Sequence, residues 1–288
     1  MKKRRIVSIG LAAVLALACV VAVAGCSSAP ASTTGTSATA SSSSTGDNVI
    51  KVGASPSPHA EILAQVKDKL ASEGYDLQVV EYSDYIQPNQ ALSQGDLDAN
   101  YFQHQPYLDN YNQENGTDLV SAGAIHFEPM SVYGGKSSDL SNIPDGATIA
   151  VPSDATNEAR ALLLLQANGV ITLKDGVGLE ATKADIDQNP HNVQIVESEA
   201  ASLPRTLADV DFAVINGNYA LSGGLDTATA LATEATDSEA AQTYANIIAV
   251  RSGDEDSAKT KALVEALESQ DVKDFIDENY KGTVVAVF

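Results

Sequence analysis

From Val49 onward the chain sets short apolar runs between amphipathic segments and polar turns, the rhythm of an α/β protein. Val49-Ile-Lys-Val-Gly-Ala54 predicts a buried strand. Ser55-Pro-Ser-Pro-His59 reads as a turn opening a helix, with Ser57 as N-cap and Pro58 in the first helical position. Ile62, Leu63, Val66 and Leu70 then recur at helical spacing up to Gly74. Leu77 to Tyr82 alternates as a second strand, Tyr85 and Pro88 follow it, and a short helix is expected around Gln90 to Gln94. In Asp98 to Leu108 the pattern changes from strand to helix between Gln103 and Gln105. Pro106 suits the first turn, where its missing N–H costs nothing, and Asn115-Gly116 marks the helix stop.

The second half repeats this grammar. Val120 to Lys136 holds two extended pieces broken at Pro129 and reads as an edge strand leaving the first domain, with His126 and Glu128 as solvated polar residues on one face. Ser137 to Gly146 is a polar crossover. Ala147 to Val151 predicts a strand, Pro152 to Asn157 a loop, and Glu158 to Asn168 an apolar helix closed by Gly169. Asn192 to Glu197 and Asp211 to Asn216 predict strands, with a helix start at Leu203-Pro-Arg-Thr-Leu207 and Tyr219 in the helix after Asn216-Gly217. Asn246 to Ser252 is a further strand, followed by a helix carrying Leu263, Leu267 and Phe275 and an apolar tail at Val284 to Phe288. The plan is two α/β lobes, the second inserted into the first so that the chain crosses twice: 48–137 plus 240–288 for the first and 138–239 for the second.

In open α/β sheets ligands sit outside the carboxyl ends of strands, beside helix N-termini. Phe102, His104 and Tyr107 cluster at such a junction, Asn157 and Arg160 at a second, and Asn216 at a third. Each residue also has a plainer reading. Tyr85 is core or cleft wall, and His59 is a solvated surface histidine or a ligand group. Arg160 either pairs with one of the many acids or holds a ligand carboxylate. Asn216 is a turn former before glycine or an orienting amide.

Composition narrows the function. Among 288 residues, 38 are acidic and 17 basic, and four of the basic ones (Lys2, Lys3, Arg4, Arg5) open the chain. The net charge of −21 repels phosphate backbones, so no nucleic-acid partner is expected. Both cysteines, Cys19 and Cys26, precede the folded part, which excludes disulfides, cysteine nucleophiles and zinc-cysteine sites there. The basic start, the apolar run from Ile6 to Ala24 and the ending Val23-Ala-Gly-Cys26 form an export signal over 1–25. That ending resembles a bacterial lipobox, in which Cys26 is lipidated and becomes the mature N-terminus. Residues 26–47 are nearly all Ser, Thr, Ala and Gly, a flexible tether with a reach of about 25 Å.

No H-E-x-x-H, G-x-S-x-G, P-loop or G-x-G-x-x-G pattern is present, and the four histidines lack metal-ligand spacing. An export signal, a lipid anchor and a cleft between two domains favour a binding protein over an enzyme, with no catalytic residue, metal or cofactor expected.

Several stretches closely resemble the NlpA/MetQ-type methionine-binding lipoproteins of ABC importers. They are Tyr82-Ser-Asp-Tyr-Ile-Gln-Pro-Asn89, Gly95 to Leu108, Ile149 to Gln166, Leu173-Lys-Asp-Gly-Val-Gly178 and Ala213-Val-Ile-Asn216. The resemblance covers essentially Val49 to Phe288. It implies the two-lobed type II periplasmic-binding-protein fold, with L-methionine closed in the cleft between the lobes and delivered to a membrane permease. It implies an aromatic box of Tyr85, Phe102 and Tyr107 with His104 beside it, a carboxylate-binding Arg160, and amide contacts from Asn157 and Asn216. It also implies lipid anchoring on the outer side of the cytoplasmic membrane. The same class admits another amino acid or a methionine-containing dipeptide as ligand; an exported adhesin or hydrolase is the alternative of a different class. No partner for the ligand ammonium announces itself in the sequence, and no site is carried over to His126 or Glu128.

Overall fold

Two β-sheets take up the apolar runs. The computed structural model describes residues 48–236 and 242–288. The expected export signal, the expected lipidation position Cys26 and the expected tether to Asp47 lie outside the described residues; among the described residues no helix is long and apolar enough to cross a membrane.

The first-lobe sheet contains β1 (Val49–Ala54), β2 (Asp76–Glu81), β3 (Ala99–His104), β4 (Val120–Phe127), β12 (Asn246–Val250) and β13 (Val285–Ala286). Their order is β13-β4-β12-β3-β1-β2. Strands β1, β2 and β3 are parallel, whereas β12 runs antiparallel between β3 and β4. The second-lobe sheet contains β5 (Ser131–Gly134), β6 (Thr148–Pro152), β9 (Gln194–Ser198), β10 (Phe212–Ile215) and β11 (Ala232–Thr233), ordered β11-β5-β10-β6-β9. A small separate hairpin, β7 (Thr172–Leu173) with β8 (Ile186–Gln188), follows the helix of that lobe. The helices are α1 (Glu61–Gln65), α2 (Lys67–Ser72), α3 (Gln87–Ser93), α4 (Gln105–Asn115), α5 (Ala155–Ala167), α6 (Leu203–Thr206), α7 (Gly217–Ser222), α8 (Ala258–Leu267) and α9 (Gln270–Tyr280).

Each sheet buries its apolar face against helices. Val52, Ile248, Leu263 and Ile276 share one core, and Ile149, Val151, Leu162 and Phe212 another. Strand β3 is buried along its whole length because β1 and β12 cover both of its edges.

The structure moves several expected boundaries. Strand β5 pairs with β10 and β11, so the outward crossing between sheets lies at 128–130 rather than at 137/138. Ser57 is extended (φ −132°, ψ 137°), as a residue before proline tends to be, within an irregular turn over Pro56–Ala60, and the regular α-helix α1 starts at Glu61. The helix expected through Gly74 is divided at Val66 (φ −99°, ψ 0°) into α1 and α2. Helix α5 begins at Ala155, because the Asp154 carboxylate accepts the Asn157 N–H at 3.0 Å and caps it. Asn157 therefore stands in the first turn and Arg160 in the second. Strand β4 is interior rather than an edge, with β12 on one side and β13 on the other.

Asp211 ties the second-lobe sheet together. Its carboxylate accepts from Thr148 N (2.8 Å), Thr148 Oγ1 (3.0 Å) and Ser137 Oγ (3.1 Å). The bond from the Thr148 backbone is the main cause holding its pKa below the ordinary 3.8. Such a carboxylate stabilises the fold above its unfolded pKa and loses that effect as pH falls through its folded value. Asp211→Asn should cost about 1 to 2 kcal/mol at neutral pH in urea unfolding. The gap from the wild-type chain should close as pH is lowered past 3.8.

Candidate functional site

The register of the first-lobe sheet sets polar residues in a row. Asn246, the first residue of β12, stands opposite His104 at the end of β3 and His126 on β4. The carboxyl ends of the parallel strands β6 and β10 deliver Asn157, Arg160, Asn216 and Asn218 from the other lobe. Between them lies a small cavity, with about 20 Å³ of space for the centre of a water-sized sphere. All seven residues singled out from sequence line it: Tyr85, Phe102, His104, Tyr107, Asn157, Arg160 and Asn216.

The first-lobe wall is aromatic. The Tyr85 ring lies 5.7 Å from Phe102 and 5.8 Å from Tyr107, and Phe102 lies 5.8 Å from Tyr107, with tilted or edge-on geometry. Hydrogen bonds lock the rings: Tyr107 Oη donates to the Tyr85 carbonyl (3.0 Å) and Tyr85 Oη donates to Asn218 Oδ1 (2.5 Å). Burial pushes the Tyr85 hydroxyl well above its ordinary pKa, so it remains a donor.

His104 joins the lobes. It caps α4, its Nδ1 accepting the Tyr107 N–H at 3.2 Å, so the ring proton must sit on Nε2. Nε2 faces Asn157 Oδ1 at 3.2 Å, and Asn216 Nδ2 donates to the same oxygen at 2.8 Å. Asn157 cannot flip, since its Nδ2 donates to Asp154 Oδ1 at 2.8 Å. Burial first, then the Arg160 charge, lowers the His104 pKa to about 3, so the imidazole is neutral.

Arg160 is 3% exposed. Its Nε and Nη2 donate to Glu234 Oε1 (2.8 Å) and Oε2 (2.6 Å), and Nη2 also donates to the Glu128 carbonyl (2.9 Å). The guanidinium stacks 4.3 Å from the Tyr244 ring. Burial, the largest single influence, works against its charge, but Glu234, Tyr244 and Glu128 together raise the pKa. The acid pair and the cavity position, which the sequence offered as alternatives, coexist.

His59, His126 and Glu128 depart most from expectation, being 1%, 0% and 5% exposed. His126 Nε2 lies 2.7 Å from Glu128 Oε1, His59 Nε2 lies 3.4 Å from the same oxygen and 2.8 Å from Asn246 Oδ1, and Tyr101 Oη bonds His126 Nδ1. The three residues could hold a metal ion, each offering a ligand atom within 4.8 Å of the others, although hydrogen bonds already engage those atoms. Burial lowers His59 to about 4 and His126 to about 3 and raises Glu128.

Besides Glu128, the cavity is lined by Gln103, Gly217, Asn218 and Asn246, none of which the sequence pattern singled out. A polar Asn246 at the head of the apolar run Asn246-Ile-Ile-Ala-Val250 was one available signal, and the Asn-Gly-Asn of 216–218 another. Gln103 belongs to a buried amide network, donating to Asn89 Oδ1 (2.7 Å) and Asn100 Oδ1 (2.9 Å).

A family model described as NlpA lipoprotein matches residues 50–288. The chain is 43% identical over 249 residues to the methionine-binding lipoprotein MetQ of Bacillus subtilis, covering 84% of this chain and 89% of that protein. It is 43% identical over 243 residues to the D-methionine-binding lipoprotein MetQ of Salmonella typhimurium, covering 83% and 88%. A nutrient binding protein from Burkholderia cenocepacia, solved bound to methionine, matches with a TM-score of 0.79 and 48% identity over 83% of this chain and all of that one. The architecture is the two-lobed fold of periplasmic substrate-binding proteins.

The three buried histidines are neutral in the folded state, whereas the unfolded chain charges them near 6.5. Their contribution to stability is complete above 6.5 and is lost as pH falls toward 4, at up to about 1.4 kcal/mol per pH unit for each group. In NMR titrations their ring carbons should hold neutral-imidazole shifts from about pH 8 to about pH 5.5.

Proposed function

The chain belongs to the NlpA lipoprotein family, and from that premise we propose that it captures L-methionine between its lobes and hands it to the membrane permease of an ABC importer. Members of the family are substrate-binding lipoproteins, not enzymes. The observation that carries the reading is one cavity with the aromatic rings of Tyr85, Phe102 and Tyr107 on one wall and Arg160 on the other. An unbranched thioether packs against ring edges with about 0.3 to 1.5 kcal/mol per contact. The Arg160 guanidinium, already oriented by Glu234, offers Nη1 to the ligand carboxylate. Asn157, Asn216 and His104 orient the polar end and tie the lobes together around it. Lipidation of Cys26 would keep this body on the outer face of the cytoplasmic membrane, tethered by residues 26–47.

Calorimetric titration with the twenty amino acids and D-methionine tests the reading, together with mass spectrometry of ligand released from purified protein. L-Methionine should bind most tightly, and norleucine, which lacks the sulfur, should lose up to about tenfold. Arg160→Lys should weaken methionine by about 10- to 150-fold, the worth of a charge-assisted contact. Absence of heat with methionine, or unchanged affinity in Arg160→Lys, would contradict it.

A further inference from the structure

The cavity is too enclosed for a molecule of amino-acid size to enter by diffusion alone. Phe102, His104, Arg160 and Asn216 are each 5% exposed or less, and the space between them admits about one water. A ligand therefore enters and leaves only when the lobes part, and the contacts that cross the cleft must break at that step. The bond between His104 and Asn157 is one of them, and both of its partners line the cavity. A second set lies further out and includes a side chain that does not.

Tyr85 stands in the turn between β2 and α3, held there because Asp84 Oδ1 accepts the backbone N–H groups of Ile86 (2.8 Å) and Gln87 (2.9 Å). Although the turn belongs to the first lobe, the Tyr85 ring packs against the second-lobe core of Ala150, Leu203, Ala213, Ile215 and Tyr219. Its centroid lies 4.7 Å from that of Tyr219, with the planes tilted by 39°. Tyr219 Oη, which burial keeps protonated, donates a long bond of 3.5 Å to the Ser83 carbonyl, back across the cleft. The preceding residue, Asn218, accepts the Tyr85 hydroxyl. Beyond Tyr219 the seam widens into a groove with about 410 Å³ of space for the centre of a water-sized sphere, walled by Ser83 and Asp84 on one lobe and Glu199 and Arg205 on the other. Asn218 lines both spaces, whereas Tyr219 lines the groove and not the cavity.

We propose that Tyr219 is a latch: by seating the Tyr85 ring in the second lobe it holds the closed cleft shut, and it sets how long a ligand stays without touching that ligand. Recognition and residence are thus assigned to different side chains. Tyr219 is a positioning residue that acts through Tyr85, and its contribution exists only while the lobes are together, so it falls on the dissociation rate and not on the encounter. The ring carries the effect, because an edge-on or tilted aromatic pair is worth more than its area while a 3.5 Å hydroxyl contact is worth little. This inference rests on the amino-acid reading above.

The test times the release of radiolabelled L-methionine, chased with excess unlabelled compound, from the wild-type chain, Tyr219→Leu and Tyr219→Phe. Calorimetry gives each Kd, and the ratio gives the association rate. Tyr219→Leu, which fills the core but removes the ring, should release methionine about 3- to 10-fold faster, with association unchanged within about twofold. Tyr219→Phe keeps the ring and should restore release to within about twofold of wild type. A lowered melting temperature of ligand-free Tyr219→Leu with unchanged release would mark the ring as second-lobe packing and overturn the proposal. Release from Tyr219→Phe as fast as from Tyr219→Leu, or a loss of affinity carried by slower association, would overturn it too. If Tyr219→Leu does not fold, Tyr219→Met decides by the same comparison of rates. A wild-type chain that binds no methionine sinks the amino-acid reading itself, whereas normal binding with unaltered release in the variants sinks only the latch.

Discussion

A guanidinium with 3% exposure has to be neutralised on the spot, and the way Arg160 is neutralised organises the centre of the molecule. Its partners come from both segments that pass between the lobes. The Glu128 carbonyl lies on the outward crossing and the Glu234 carboxylate follows β11 at the start of the return. The two crossings also bond to one another, Met130 N donating to Glu234 Oε2 at 2.8 Å and Glu234 N to Met130 O at 3.0 Å. Arg160 thereby fastens the junction and lines the cavity with the same planar group. Lysine, a point charge without the fork, could not make the paired bonds to Glu234 and the carbonyl together.

Polarity inside the cleft is divided by geometry rather than by the overall charge of −21. Acidic excess covers the surface, but the wall groups are held in single protonation and rotameric states by their neighbours. His104 receives a backbone N–H and must donate toward Asn157; Asn157 is held by Asp154 and must present its oxygen. Such chains leave little to reorganise when a polar ligand arrives.

Local pattern carried most of the architecture. Apolar runs and helix punctuation announced the strands, and strand ends followed by Pro106, Asn157 or Asn216-Gly217 announced the cavity wall, because ligand sites in open α/β sheets gather at those ends. Long-range pairing was not legible. His126 and Glu128 alternate in a way that suits a solvated edge, and the later arrival of β12 and β13 on either side of β4, with Gly217 packed against Glu128, buries them. His59 looked like a surface residue of a first helical turn until its ring packed edge-on to Tyr101 and His126 at 4.7 and 4.9 Å. The crossing at 128–130 was drawn too late because β5 is polar-flanked and short, and its partners β10 and β11 lie some 80 to 100 residues further along the chain.

That returning strand has a consequence for the life of the chain before it is folded. β12 fills the gap between β3 and β4, so the first-lobe sheet lacks its middle until residue 250 has been made. The second lobe, whose strands run without interruption from 131 to 233, can close its sheet earlier. Long loops must be closed before β3 and β4 gain their shared neighbour, which slows folding. The first-lobe sheet is thus the last part of the fold that can be completed as the chain grows.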